Sequence, residues 1–315
     1  MYRNYSTSSS SSIDSNSVLD PWFISGYADA ESSFMIIVNK NSQSKLGFLL
    51  HARFAINIHK KDHNLLKKIA SFFGVRKIAK ESKDSIMYRV TSIKEINPVI
   101  LPHFDKYPLL SKKRADFELF QQAVELMNNK VHLTIEGLEK IISIKSSLNL
   151  GIPDDLKKAF LNVTSVPRPE VELPNSINPN WIRGFTSGEG SFGITIRNSP
   201  SHKVGQKVSL LFRITQHSRD TDQMKNLKIY FNCGNYYEDK SRNKGNYVVQ
   251  KFTDIYDQII PFFEKYPVEG EKSKDFKDFC IAARLVDRKA HLTIEGLEEI
   301  KKIKGEMNRS RDNKT

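Results

Sequence analysis

The chain contains one stretch of sequence twice. The octapeptide HLTIEGLE at residues 132–139 recurs without a change at residues 291–298, which is 159 positions later. PHFDKYP at 102–108 corresponds to PFFEKYP at 261–267 with the same separation. Solenoid repeats have periods of about 20 to 50 residues, so a period this long indicates a duplicated domain. The sequence therefore predicts a pseudo-symmetric molecule built from two related halves.

Earlier parts of the two halves lie 158 positions apart instead of 159. Glu31 corresponds to Glu189, and Asp62 corresponds to Asp220, at this shorter separation. The second half has therefore gained one residue between these blocks and the later ones. We expect this insertion near Cys233.

The composition favours a folded protein with a polyanionic partner. A chain of 315 residues with 39% hydrophobic residues is long enough for two domains with ordinary cores. The formal net charge of +13 favours nucleic acid as the partner, ahead of an anionic membrane surface. No apolar run reaches the length of about 18 residues that a membrane-spanning helix needs. The two cysteines suggest neither a disulfide framework nor a zinc cluster, so we expect a soluble protein in a reducing compartment.

Changes in composition divide the chain into five segments. Residues 1–18 contain eight serines and too little apolar material for a core, which predicts a disordered arm. Four prolines interrupt the stretch between the repeats, which predicts a linker with one short helix at 154–161. The predicted segments are the arm at 1–18, a first domain at 19–149, the linker at 150–177, a second domain at 178–308 and a basic tail at 309–315.

Each half begins with the same signal for a helix. Asp20-Pro21 and Asn178-Pro179 each place a capping side chain before a proline at the first helical position. Small residues follow four positions apart, which would allow two helix backbones to approach closely. The sequence therefore predicts a packed helix pair that joins the halves. The small residues are Gly26, Ala30, Gly184 and Gly188.

Glu31 and Glu189 stand at the ends of these predicted helices. A carboxylate there faces the negative end of the helix dipole, so it needs a partner. If the helices pack around a pseudo-twofold axis, the two carboxylates converge and repel each other unless a cation lies between them. Magnesium suits such oxygen ligands and suits phosphodiester hydrolysis. Structurally paired glutamates are the alternative, and Asp29, which corresponds to Ser187, is interpreted as structural because it has no acidic counterpart.

The segments ISGYADAES at 24–32 and IRGFTSGEG at 182–190 resemble the two signature helices of a single-chain LAGLIDADG homing endonuclease. The strings DPWF, FTSGEGSF, ITQH and KYP are similar to motifs of the fungal mitochondrial, intron-encoded branch. The resemblance covers residues 20–308. It implies an α+β fold in which an αββαββα unit occurs twice with pseudo-twofold symmetry, and two antiparallel sheets that form a DNA-binding saddle.

The resemblance also implies which residues carry the activity. Glu31 and Glu189 would be catalytic and would coordinate magnesium together with the backbone carbonyls of Ala30 and Gly188. Lys251 matches a family position near the active site, which implies a catalytic role for its basic group. Mn²⁺ is expected to substitute for Mg²⁺, whereas Ca²⁺ is expected to support binding without cleavage.

The implied product is a double-strand break with 3′ overhangs in a long, asymmetric double-stranded DNA target, which promotes intron mobility in mitochondria. Unequal residues in the two halves predict the asymmetry independently, since Arg53 corresponds to Leu211 and Ala55 corresponds to Arg213. A monomer is sufficient because the duplication supplies both halves.

Two other functions remain open on the same fold. An RNA-splicing maturase would bind the host intron RNA, and a DNA-binding regulator would bind its site without cutting it. The presence of both glutamates argues against a purely non-catalytic protein, although a bifunctional enzyme and maturase stays compatible with the sequence.

Alternating residues after each signature helix predict the sheets. Phe34, Ile36 and Val38 form one apolar face with period two, and Asn39 belongs to the opposite face. Arg and Asn on that opposite face have the chemistry to read guanine and adenine, although a solvated strand face is the alternative for each residue. Basic residues in the loops have the chemistry to bind phosphates. The predicted DNA-binding residues are Asn39, Lys40, Arg53, Asn57, Arg76, Lys77, Lys80, Lys83, Arg89, Thr195, Arg197, Lys203, Lys207, Arg213, Thr215, Lys240, Arg242 and Lys244.

Two histidines, His59 and His217, follow corresponding strands and could be mistaken for metal ligands. No cysteine lies near either of them in the sequence. We therefore interpret both as residues that cap or pack at strand ends.

Overall fold

The computed structural model of the protein describes residues 18–75, 77–174 and 176–308. The predicted arm lies outside the described residues apart from Val18, and the predicted tail at 309–315 lies outside them entirely. Arg76, one of the predicted DNA-binding residues, also lies outside them.

Each half starts with a helix and continues through two strands, a helix, two further strands and a group of helices. This order is the predicted αββαββα unit and confirms the α+β class. The first half contains α1 (Pro21–Glu31), β1 (Ser32–Lys40), β2 (Phe48–His59), α2 (His63–Phe73), β3 (Ile78–Lys80), β4 (Ser85–Val90), α3 (Ile93–Glu95), α4 (Leu101–Lys106), α5 (Lys113–Asn128) and α6 (Ile135–Ser147), and is followed by α7 (Asp154–Ala159).

The second half repeats the pattern. It contains α8 (Pro179–Glu189), β5 (Gly190–Asn198), β6 (Gln206–His217), α9 (Thr221–Phe231), β7 (Asn235–Asp239), β8 (Lys244–Val249), α10 (Phe252–Asp254), α11 (Ile260–Lys265), α12 (Lys272–Asp287) and α13 (Ile294–Gly305). Short 3-10 turns lie at Lys60–Asp62, Val131–Leu133, Ser218–Asp220, Lys240–Arg242 and Ala290–Leu292, and π-helical turns at Ile96–Ile100 and Ile255–Ile259 join the short helices on either side.

The strands form two four-stranded antiparallel sheets with matching order. The order is β1-β2-β4-β3 in the first half and β5-β6-β8-β7 in the second. Side chains alternate between the two faces of each sheet, so residues of one parity pack on the helices and residues of the other parity point away from them. We call the second surface the open face; it carries Arg53 in the first half and Arg213 in the second.

The strand register places the one-residue insertion later than expected. Lys80 pairs with Ile86 in the first half, and Glu238 pairs with Gly245 in the second. The extra residue therefore lies in the hairpin between β7 and β8, where a longer turn is accommodated at the surface. The expectation of an insertion near Cys233 was wrong.

Aromatic rings join each sheet to its helices. The ring centroid of Phe34 lies 5.2 Å from that of Phe54 and 5.4 Å from that of Phe104. In the second half, the ring of Phe192 lies 5.3 Å from that of Phe212 in the same sheet and 5.5 Å from that of Phe263 in α11. These rings are buried, and full burial of one phenylalanine side chain stabilises a fold by about 1.5 to 3 kcal/mol. The packing thus fixes which face of each sheet stays open.

The segment between the halves is held against the first half. The guanidinium of Arg168 lies 2.9 Å from Asp116 Oδ2 and donates to the carbonyl oxygen of Ser147 at 2.8 Å. Leu156 of α7 is buried, and the ring of Phe160 lies 5.0 Å from that of Phe48. Within the part of the chain that is described, no helix combines the length and apolar character that a membrane crossing requires.

Candidate active site

The first helices of the two halves, α1 and α8, pack directly against each other. A Cβ atom on Gly26 would lie 2.0 Å from the carbonyl oxygen of Trp181, and a Cβ on Gly184 would lie 2.2 Å from that of Phe23. Both distances are far too short for a real Cβ contact, so only glycine permits this approach. The predicted close contact of two helix backbones is confirmed.

The predicted caps orient both helices. Asp20 Oδ1 accepts a hydrogen bond from the backbone N–H of Trp22, and Asn178 Oδ1 accepts one from that of Asn180, each at 2.8 Å. Proline occupies the first position of each helix. Both helices therefore start at defined residues and carry their last residues, the glutamates, to the same region of the molecule.

Glu31 and Glu189 are partly buried at the junction of the two halves. Burial is the main cause that raises the pKa of both carboxyl groups. For Glu189 the nearby Glu31 carboxylate adds to this effect, and the pKa rises to about 7. Two acids that repel each other in a desolvated site favour either a proton or a cation between them.

Two lysines that the sequence analysis missed lie beside the glutamates. The ammonium of Lys113 donates to the carbonyl oxygens of Ala28 at 2.9 Å and Ala30 at 3.4 Å, and that of Lys272 donates to the carbonyl oxygen of Gly188 at 2.5 Å. Burial lowers the pKa of both lysines, and the nearby acids oppose that change.

A sequence signal for these lysines exists. Lys113 and Lys272 are 159 positions apart, the same separation as the KYP strings, and each is followed three residues later by Asp-Phe. The recurrence of a lysine with the same Asp-Phe pair in both halves is therefore visible in the duplication. Its position beside the glutamates is not visible, because it depends on how α5 and α12 pack against α1 and α8.

Lys251, which was expected near the glutamates, lies away from them. It follows the end of β8, is exposed, and places its Nζ atom 3.3 Å from Asp254 Oδ1. Lys244, at the other end of β8, contributes to the electrostatic environment of Glu189. The structure thus corrects the expectation that Lys251 lies by the glutamates, because β8 runs past the site with Lys244 at its near end.

Asp29 has a structural role, as the absence of an acidic residue at the corresponding position of the second half suggested. It is fully buried and accepts hydrogen bonds from the N–H of Leu110 at 2.7 Å, the hydroxyl of Ser111 at 2.5 Å and the indole N–H of Trp181 at 2.8 Å. In the other half, Ser187 Oγ accepts from the N–H of Glu269 at 3.0 Å. Asp29 and Ser187 therefore hold equivalent loops.

The donor atoms around the glutamates fit a hard divalent cation. Ala30 and Gly188 directly precede the two glutamates, and their carbonyl oxygens accept from the ammonium groups of Lys113 and Lys272. Both glutamates have raised pKa values that a bound cation would lower. Magnesium is commonly held by one or two carboxylates and keeps several water ligands. Among the described residues no group of three or more His, Cys, Asp or Glu side chains is arranged to hold a metal ion.

Most predicted DNA-binding residues lie on the open faces or in the hairpins beside them. The register places Arg53, Asn57 and Arg89 on the open face of the first sheet. The predicted residues that lie on the open face of the second sheet are Thr195, Arg197, Lys207, Arg213, Thr215 and Lys244. Asn39 also lies on the open face, Lys80 lies at the end of edge strand β3, and Lys83, Lys203, Lys240 and Arg242 lie in exposed connections between strands.

Two of the predicted residues have different surroundings. Lys40 has the parity of Ile36 and Val38, which pack on the core, and its Nζ lies 3.9 Å from Asp155 Oδ2. Alternation therefore places Lys40 on the side of the sheet opposite Asn39, and DNA binding by Lys40 stays a prediction. Lys77 lies 2.8 Å from Glu95 Oε2.

The sequence analysis also missed exposed residues on the open faces. His51 pairs with Ile37 in the first sheet, and Tyr237 pairs with Asn246 in the second. Both His51 and Tyr237 are exposed. The same alternation that identified Arg53 extends to these positions and could have identified them.

The two strand-end histidines act as caps. His59 Nδ1 accepts a hydrogen bond from the N–H of Lys61 at 3.3 Å, and His217 Nδ1 accepts one from that of Arg219 at 3.1 Å. Each begins the 3-10 turn that follows its strand. The interpretation of these histidines as capping residues is confirmed.

Comparison with protein families gives one match in each half. A family model described as LAGLIDADG endonuclease matches residues 24–124 and 182–283. These ranges begin inside α1 and α8, so each match includes one glutamate of the pair.

Known relatives agree with this match. The crystal structure of the I-SmaMI LAGLIDADG homing endonuclease bound to cleaved DNA is 43% identical, with a TM-score of 0.91, and the alignment covers 93% of this chain and 98% of that one. "Probable intron-encoded endonuclease 3" of Neurospora crassa is 40% identical over 94% of this chain, and "Probable intron-encoded endonuclease 2" is 38% identical over 92%. The matched part spans 56% and 65% of the length of these two relatives.

Proposed function

This chain belongs to the LAGLIDADG endonuclease family, and from that premise we propose that it is a homing endonuclease that cuts both strands of one DNA site. The observation that carries the proposal is the meeting of Glu31 and Glu189 at the junction of the halves, with a lysine beside each helix end. Because the duplication supplies two carboxylates and two lysines, a single chain has one such set for each strand.

The glutamates are proposed to hold Mg²⁺ together with the carbonyls of Ala30 and Gly188. When bound, Mg²⁺ stabilises the negative charge that develops on a phosphate during hydrolysis. Desolvation of Glu31 and Glu189 supports this role, because a buried pair of acids gains more from a cation than an exposed pair does.

Lys113 and Lys272 are proposed to act at the two scissile phosphates. Each ammonium lies at the carboxyl end of a signature helix, where it adds positive charge next to one glutamate. The neighbour I-SmaMI has been solved as two single lysine-to-alanine mutants and as the double mutant, and its two mutated lysines are 159 positions apart. Lys113 and Lys272 have the same separation, which supports an equivalent pair here.

The open faces of the two sheets are proposed to bind the duplex. The net charge of +13 supplies the attraction for phosphates, and the exposed polar side chains of β1, β2, β5 and β6 supply hydrogen bonds for base edges. The halves differ at corresponding positions, for example Arg53 and Leu211, so the target would be long and asymmetric.

The cut is proposed to leave 3′ overhangs and to promote intron mobility in mitochondria. The names of the Neurospora crassa relatives describe intron-encoded endonucleases, and another relative is an uncharacterized mitochondrial protein of Saccharomyces cerevisiae. Mn²⁺ is proposed to replace Mg²⁺. Ca²⁺ is proposed to support binding without cleavage, as a structure of I-SmaMI with uncleaved DNA in the presence of calcium ions suggests.

One selection experiment tests the proposal. The purified protein is incubated with a pooled library of long duplex targets, with Mg²⁺ in one arm and Ca²⁺ in the other, and all new ends are sequenced. We expect ends at one site with Mg²⁺ alone, and their polarity gives the overhang. The Glu31→Gln, Glu189→Gln double variant is the matched control and should produce no ends.

Selective binding without new ends in either arm would contradict the nuclease proposal. Binding of the host intron RNA in preference to the duplex, measured with the same protein preparation, would instead favour a maturase.

A further inference from the structure

Each half of the molecule caps a helix of the other half. Asp62 of the first half accepts a hydrogen bond at Oδ1 from the backbone N–H of Glu271 in the second, at 2.7 Å. Asp220 of the second half accepts one at Oδ1 from the N–H of Lys112 in the first, at 2.6 Å. The pseudo-twofold symmetry relates these two contacts.

The capped amides lie directly before the site lysines. Glu271 precedes Lys272, the first residue of α12, and Lys112 precedes Lys113, the first residue of α5. The N-cap side chains of these two helices make no capping hydrogen bond. The aspartate from the opposite half therefore accepts from the amide that directly precedes the first residue of each helix, the site lysine. In the first half, Ser111 Oγ also accepts from the N–H of Lys113 at 3.1 Å.

Both aspartates are at least partly removed from solvent, and burying a charged carboxylate costs free energy unless another interaction offsets it. Asp220 is buried, and Asp62 is partly buried, so that burial raises its pKa. The N-terminal end of a helix attracts negative charge, and a charged acceptor forms a stronger hydrogen bond than a neutral one. The cost of desolvation is thus offset at the helix start, and the lysine next to it is held in register.

The loop before α12 is shaped around Asp62. Gly270 has a φ of +72°, and a Cβ on it would lie 2.2 Å from Asp62 Oδ1. At the equivalent position the first half has Ser111, whose hydroxyl donates to Asp29. The absence of a side chain at Gly270 therefore leaves the space that Asp62 occupies where it accepts from the amide of Glu271.

We propose that Asp62 and Asp220 are positioning residues that act across the junction, Asp62 on Lys272 and Asp220 on Lys113. The inference rests on the proposed function, because it assigns these lysines to cleavage. The aspartate of each half then positions the site lysine of the other half, and the cuts of the two strands depend on different aspartates.

Strand-resolved cleavage tests this assignment. Asp62→Ala should slow the cut of one strand by about 10- to 100-fold, because a misplacement of about 1 Å can slow a reaction by up to about 100-fold. Asp220→Ala should slow the cut of the other strand in the same way. Asp62→Asn and Asp220→Asn should cut nearly as the unaltered protein does, because the amide oxygen still accepts the backbone hydrogen bond. Equal slowing of both strands, or asparagine variants as slow as the alanine variants, would overturn the proposal.

A second measurement uses the free protein and needs no cleavage. Competitive acetylation followed by mass spectrometry should show greater labelling of Lys272, and unchanged labelling of Lys113, in Asp62→Ala. Asp220→Ala should show the reverse, and the asparagine variants, which keep the hydrogen bond and guard against unfolding, should match the unaltered protein. Labelling of both lysines that stays unchanged in both alanine variants would overturn the proposal even if no DNA target is cut, whereas failure of the unaltered protein to cut would count against the nuclease function alone.

Discussion

The carboxylate of Glu31 lies against the backbone of Gly188 on the opposing helix, with Oε1 3.2 Å from the position that a Cβ on residue 188 would occupy. The same Cβ would lie 2.3 Å from the Cβ of Ala30. Space at this glycine is therefore shared between the helix contact and a glutamate of the proposed active site.

Gly188→Ala is expected to reduce both stability and cleavage. The added methyl group must push α1 away from α8, and overpacking of this kind costs about 1 to 3 kcal/mol. Denaturant unfolding measures the first effect and plasmid cleavage the second. Gly305→Ala is the matched control, because a Cβ at the end of α13 meets no atom within 4 Å. Equal behaviour of the two variants would contradict the packing argument.

Glu31→Gln and Glu189→Gln are each expected to abolish double-strand cleavage while DNA binding stays nearly unchanged. Glutamine keeps the size of the side chain and removes the charge that would hold Mg²⁺. Gel-shift and cleavage assays on one labelled duplex separate the two effects. Glu298→Gln, at an exposed ion pair with Lys301, serves as the control. Normal cutting by either site variant would remove that glutamate from the mechanism.

The metal-free protein is expected to lose stability as the pH rises from about 4.5 to about 7. Glu189 has an ordinary pKa of 4.5 and a folded-state pKa of about 7, so the folded protein binds more protons than the unfolded chain within this window. Stability from this group is complete below the lower value and is lost as the pH passes the upper one. Unfolding in EDTA at several pH values measures the slope. The slope should be smaller in Glu189→Gln, and an identical slope would show that Glu189 is not the titrating group.

Lys113→Met and Lys272→Met are expected to slow cleavage strongly, by about 100-fold, while both variants stay folded. Methionine retains the apolar part of the side chain and removes the ammonium from the carboxyl end of α1 or α8. Single-turnover cleavage measures the rate. Lys251→Met discriminates between the two assignments, since a loss as large as that at Lys272 would restore the role that the family resemblance implied for Lys251.

Much of the fold could be predicted because its signals are local. Capping pairs such as Asp20-Pro21 fix where helices start, and strict alternation around Phe34 and Phe192 fixes which strand residues face the core. The identical segments at 132–139 and 291–298 made the duplication certain before any element was assigned. For the same reason the glutamates, which end the two signature helices, could be found.

The remaining parts of the site depend on long-range contacts. Lys113 reaches the carbonyl of Ala28 across 85 positions of sequence, and no local pattern encodes that approach. The insertion could not be located within the poorly matching stretch, because only the pairing of β7 with β8 defines it.

The glycines of the α1–α8 contact have a consequence for how such a protein changes over time. Main chain meets main chain at Gly26 and Gly184, so the distance between the two helices is set by backbone dimensions and not by the volume of variable side chains. On the proposed function, substitutions on the sheets would alter which bases are recognised while the separation of Glu31 and Glu189 stays constant. New target sequences would then be reached one contact at a time, without a change in the geometry of the proposed double cut.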